Sequence, residues 1–143
     1  MRHSVIPPGQ GPTYDWTSDH VVVKTPMEVT DGRATLVEDT LKPGFFLARH
    51  HHRVMVEVFY ILDGEVTFRF DDETVVASPG TTVNVPPQVW HEVTCIEGGR
   101  LLTLFSPGGF DHYLSELAGL EPGRFDDAAF MEALNRQYDI WSQ

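Results

Sequence analysis

The alternation of apolar and polar positions in the middle of the chain is of the strand type. Val66, Phe68 and Phe70 alternate with Thr67 and Arg69, which predicts a strand over 65–70 with one apolar face. Arg33 to Leu36 alternates in the same way and fades after Val37. Further short runs at 74–77, 81–85, 91–96 and 101–105 are separated by turn residues at the spacing of an all-β sandwich or barrel. The period then changes. Phe110, Tyr113, Leu114 and Leu117 follow the i, i+3, i+4, i+7 rule of an amphipathic helix closed by Gly119. After Glu121-Pro122-Gly123, Asp126 or Asp127 can cap a second helix carrying Phe130, Met131, Leu134 and Tyr138. Helices that follow a run of strands are expected outside the sandwich or across its mouth.

The strand pattern is interrupted by chemistry between Gly44 and Gly64. On a strand through Arg49–Arg53, His50 and His52 share one face and His51 leaves from the other. Glu57 follows in the apolar run Met-Val-Glu-Val-Phe-Tyr-Ile-Leu, expected on the neighbouring strand, and Asp63-Gly64 reads as a tight hairpin with φ > 0 at both turn positions. An unpaired carboxylate buried at Glu57 would be costly or would take up a proton, and a cation removes that difficulty. Two imidazoles and a carboxylate converging on one point read as a metal site, with His91 as a fourth candidate ligand.

Length and composition narrow the rest. The chain has 143 residues, 41% hydrophobic and 22% charged, an ordinary balance for one globular domain. A formal charge of −11 disfavours nucleic acid and anionic membranes as partners. The single Cys95 excludes an intrachain disulfide and fits a reducing compartment. With no apolar run of membrane-spanning length and no signal-peptide core, a cytoplasmic protein is expected. Residues 1–15, rich in Pro and Gly, read as an extended arm that needs a docking surface, with Trp16 and Val21–Val23 tying it to a sheet.

The spacing G-x5-H-x-H-x4-E-x6-G, met by Gly44, His50, His52, Glu57 and Gly64, resembles the first cupin motif at every fixed position. The second cupin motif is echoed by Gly80, Pro86 and His91, with Gln88 where that family usually has Gly and Cys95 where it usually has Asn. Leu-Phe-Ser-Pro-Gly-Gly-Phe at 104–110 and Gln-Tyr-Asp-Ile-Trp at 137–141 look like the endings of small single-domain cupins similar to flavonol (quercetin) dioxygenases. The resemblance implies an all-β cupin double-stranded β-helix (jelly-roll barrel) over 16–107, with two short C-terminal helices within 108–143. It also implies one divalent metal ion per subunit held by His50, His52, Glu57 and His91. Iron, manganese, nickel, cobalt and zinc all accept that donor set.

By strand parity, Phe46 and Ala48 share the face of His50, Phe59 and Ile61 that of Glu57, and Val93 and Cys95 that of His91. These six are expected to form an apolar substrate pocket suited to a flat hydrophobic compound, with Cys95 as a small buried hydrophobe. Trp90 and Phe110 are candidates for the pocket's mouth, and Arg49 and Arg53 flank the ligands. Glu57 is the candidate catalytic residue, a carboxylate able to act as general base toward a substrate hydroxyl. Three functions follow: a metal-dependent dioxygenase of a flat hydroxylated aromatic (flavonol- or polyketide-like), a non-redox cyclase or isomerase of aromatic polyketide-type compounds, and a non-catalytic binding module. The complete ligand set argues against the last, and the likeness of the C-terminal end favours the oxygenase. Because small cupins commonly pair through a sheet face, a homodimer is expected, its arms packed against the partner.

Overall fold

Two antiparallel sheets laid face to face form the body of the fold within residues 2–143, the part of the chain that the computed structural model describes. The first sheet runs β1 (Thr13–Asp15), β2 (Asp19–Thr25), β3 (Thr35–Leu41), β10 (Gly99–Ser106), β5 (Val56–Asp63) and β8 (Thr82–Val85). The second runs β11 (Trp141–Ser142), β4 (Phe45–His51), β9 (His91–Cys95), β6 (Val66–Arg69) and β7 (Thr74–Ala77). Inward residues of both sheets interdigitate as a jelly roll, with Phe59 of one sheet packing edge-on to Phe68 of the other, ring centroids 4.9 Å apart.

Two local expectations are corrected here. Asp63-Gly64 is not a hairpin: β5 and β6 belong to different sheets, so this turn carries the chain from one sheet to the other, and only Gly64 has positive φ, at 78°. Glycine is required there, since a Cβ would stand 2.6 Å from the Gly98 carbonyl oxygen. As a consequence, Glu57 does not neighbour the histidine strand but faces it from the opposite sheet. His91 is the true neighbour, directly paired with His50 across β4 and β9.

The two helices form where the period changes. In α1 (Phe110–Ala118), Asp111 is buried in the first turn and accepts hydrogen bonds from Thr35 Oγ1 (2.6 Å) and Met27 N (3.2 Å), anchoring the helix to β3. Leu114 and Phe110 pack toward Val37 and Phe105, with the Phe105 and Phe110 rings stacked at 4.2 Å. In α2 (Ala128–Gln137), Asp127 is the N-cap, its carboxylate accepting from Phe130 N at 3.1 Å. The N-terminal arm docks on its own chain: Lys24 Nζ donates to the carbonyls of Pro7 (2.7 Å) and Gln10 (3.1 Å), and Val23 N to that of Pro12. Among the described residues no helix is long and apolar enough to cross a membrane.

Candidate metal centre

His50 ends the stretch of β4 paired with β9, His52 lies one residue past β4, Glu57 is the second residue of β5, and His91 opens β9. All four side chains are buried, at 6%, 3%, 3% and 0% exposure, so none is a surface histidine or a solvated carboxylate. One donor atom from each lies within 4.8 Å of the others, a set able to hold a metal ion. His51 leaves from the opposite side and packs edge-on against Trp90 at 4.2 Å.

Each histidine is oriented by a carbonyl, which can only accept. His50 Nδ1–H donates to Ala48 O (2.8 Å), His91 Nδ1–H to Val89 O (2.9 Å) and His52 Nδ1–H to Asp139 O (2.8 Å). Nε2 is left pointing inward in all three, the tautomer that metal ligation requires. The Nε2 atoms of His52 and His91 meet Glu57 Oε2 at 2.9 and 3.2 Å. With Nδ1–H committed, that contact is attractive only when a positive charge resides there, as a ring proton or as a cation shared by all four groups. The donor set therefore fits a divalent ion. Burial alone would raise the Glu57 pKa, but the hydrogen bonds and charge of His52 and His91 outweigh it and hold the carboxylate at about 2. Burial, helped by the charge of His91, pushes His50 down to about 4, whereas for His52 burial is overcome by Glu57 and the pKa is raised.

Beside this cluster a cavity of about 470 Å³ opens between the sheets. Phe59 and Val93 line it as parity predicts, and Phe110 and Tyr113 of α1 close one side. Two pocket expectations need correction. Ile61 and Cys95 point inward but are 0% and 1% exposed in the closed core, four residues along their strands from the ligands, about 13 Å at strand rise. The Cys95 thiol donates to Glu65 O at 3.4 Å and has its pKa raised by burial. Phe46 and Ala48 line the cavity as expected, at its exposed rim, and a bulge between Leu47 and His50 that reverses the parity of β4 turns Phe45 inward beside them. Trp90 is not at the mouth; it stands on the outer side with His51, under the Arg49 guanidinium, which also pairs with Asp71.

The chain matches the cupin domain family over residues 29–106. It belongs to that family. A quercetin 2,3-dioxygenase of Bacillus subtilis (strain 168) is 27% identical over 110 residues, which is 77% of this chain and 28% of that enzyme, so the chain spans little more than a quarter of its relative. KdgF from Halomonas sp. superposes with a TM-score of 0.67 at 18% identity, covering 76% of this chain and 99% of that one. An RmlC-like cupin from Shewanella frigidimarina gives 0.67 at 22%, covering 78% and 96%. At these identities the two structures establish the single-domain cupin fold alone. Within that fold, Gln88, standing where cupins usually have Gly, adopts the left-handed conformation (φ 69°) and donates its N–H to His52 O at 2.6 Å.

Sequence reasoning missed three site-related groups. Asp139, which orients His52, lies in the Gln-Tyr-Asp-Ile-Trp ending but had no role assigned to it there; its partner lies 87 residues away. The two-residue strand β11, paired with β4 at His50 and His51, is too short to leave a pattern. Asp19 and Asp39 both line the cavity, and here a signal existed: Asp39 shares the inward parity of Val37 and Leu41.

Proposed function

We propose that this chain is a metal-dependent dioxygenase acting on a flat hydroxylated aromatic of the flavonol or polyketide type, with a divalent ion held by His50, His52, Glu57 and His91. The observation carrying the proposal is the convergence of four buried donor atoms at one end of an apolar cavity, the three imidazoles already presenting Nε2. The kinship with a quercetin 2,3-dioxygenase supports the substrate class. A bound ion supplies a Lewis acid for the substrate's oxygen atoms and, when redox-active, a path for electrons to dioxygen.

The chain's own residues do the rest. Glu57 is ionised at neutral pH and so stands ready to accept the proton of a substrate hydroxyl at Oε2. Phe59, Phe105, Phe110 and Val93 offer apolar walls to a planar ring system and exclude water from the reacting face. The Tyr113 hydroxyl donates to Asn135 Oδ1 at 2.6 Å, and burial pushes its pKa up to about 12, which keeps it a neutral phenol in the wall.

We further propose a cytoplasmic homodimer, divided into an arm over 1–15, a barrel over 16–107 and a helical segment over 108–143. Sedimentation showing a strict monomer at high micromolar concentration removes the dimer. Oxygen uptake on a flavonol panel, measured with metal content on the same preparation, tests the activity. Uptake with a stoichiometric redox metal supports the dioxygenase; stoichiometric zinc with no uptake replaces it by the non-redox cyclase or isomerase.

A further inference from the structure

His50 and His91 take their orienting carbonyl from two residues upstream on the same segment, Ala48 and Val89. His52 cannot do so. It lies beyond the end of β4, and its carbonyl partner belongs to Asp139, in the turn between α2 and β11. Asp139 is built to hold that position. Its backbone is left-handed (φ 63°), and its carboxylate accepts three successive backbone N–H groups of the loop after His52: Arg53 (2.7 Å), Val54 (2.9 Å) and Met55 (2.8 Å). Trp141 Nε1 donates to the same carboxylate at 3.1 Å. Trp141 in turn lies under the Arg53 guanidinium, 3.3 Å from the ring centroid, and pairs with His51 in the β11–β4 ladder.

We infer that Asp139 is a positioning residue of the metal centre: its side chain clamps the loop 53–55 while its carbonyl fixes the ring of His52. The inference rests on the metal reading above and adds to it that ligand geometry depends on the C-terminal segment. The clamp acts on both sides of His52 at once. The carboxylate anchors the chain leaving the ligand, and the carbonyl of the same residue sets its ring. Loss of the carboxylate frees the loop 53–55 and lets the left-handed turn relax, carrying the carbonyl away from Nδ1. Orienting partners of metal-binding histidines typically account for ten- to a hundredfold in affinity.

Cobalt(II) serves as the probe, because its visible absorption reports coordination geometry independently of turnover. Affinity is measured by chelator competition, and the spectrum at saturating cobalt, for the wild type and for Asp139→Ala, Asp139→Asn and Gly64→Ala. Asp139→Ala should weaken cobalt binding about ten- to a hundredfold and alter the saturated spectrum. Asp139→Asn tolerates the left-handed backbone and keeps one acceptor oxygen, but sets an NH2 group against the other pair of N–H donors, so it should recover only part of both. Gly64→Ala destabilises the barrel away from the loop and should leave affinity and spectrum unchanged, separating positioning from general stability. Wild-type affinity and spectrum in Asp139→Ala overturn the inference while leaving the metal site standing. So does an equal loss in Gly64→Ala. Should Asp139→Ala fail to fold, Asp139→Asn carries the test: weakened cobalt binding with an altered saturated spectrum supports the inference, and wild-type affinity and spectrum overturn it. A wild type that takes up no cobalt overturns the metal reading and this inference together.

Discussion

Asp39→Asn should make the protein more stable near neutral pH, by an amount that vanishes in acid. Asp39 projects from β3 into the cavity wall, and its Oδ1 is buried without a hydrogen-bond donor among the described residues. Burial first, then the charge of Asp19 and the hydrogen bond with it, push the Asp39 pKa from 3.8 up to about 9. Asp19 is raised as well, chiefly by burial, and it is the member that Lys42, His20 and Ser18 favour as the anion. The pair therefore shares one proton with the charge on Asp19. A folded pKa above the unfolded one means that the group's stabilising contribution is complete below about pH 4 and is lost as pH rises toward 9. Each pH unit inside that window removes up to about 1.4 kcal/mol, so roughly 4 kcal/mol has gone by pH 7. Asparagine does not titrate, and its amide can still donate to Asp19. Allowing about 1–2 kcal/mol for the poorer fit of that bond, the variant should gain about 2 kcal/mol at pH 7, several degrees in Tm, and nothing or less at pH 4. Urea unfolding of both proteins at each pH unit from 4 to 9 reads the difference directly. A difference that stays flat with pH refutes the shared proton and the raised pKa behind it.

Other expectations can be checked on the same set of proteins. Glu57→Gln keeps an oxygen among the imidazoles but removes the proton acceptor, so turnover should fall about a hundredfold or more while metal occupancy falls much less; full turnover in a fully metallated variant removes Glu57 from the chemistry. Gly64→Ala places a Cβ 2.6 Å from Gly98 O and 2.9 Å from Gly99 Cα at a φ of 78°, and thermal unfolding should show a loss of about 2 kcal/mol or more. His51→Ala forfeits the edge-on contact with Trp90, about 1 kcal/mol, and should leave metal content at the wild-type level by elemental analysis.

How much of this was readable in the chain depended on how local each feature is. The alternation of Val66 and Phe68 fixed β6, and the Asp127 cap and the 3.6-residue period located α2, because propensity and pattern act within a few residues. The four ligand candidates were visible because their types and spacing are unusual in an apolar run. Their arrangement was not visible. Whether Asp63-Gly64 folds back as a hairpin or crosses between sheets is settled by what β5 pairs with, and β5 pairs with β10 and β8, residues far along the chain. The β4 bulge that turns Phe45 inward and leaves Phe46 at the rim likewise comes from register against β9, which a period-2 reading of one strand cannot contain. The reach of Asp139 to His52 spans most of the chain and joins groups that carry no shared pattern.

Metal stoichiometry by elemental analysis, on protein purified without added metal or chelator, tests the central claim most directly. The wild type should carry close to one divalent ion per chain. His52→Ala and His91→Ala should each lose most of it, since each removes one of four buried donors that converge within 4.8 Å. Full retention of metal in both variants, or a wild type that takes up none even when divalent metal is supplied, contradicts the account.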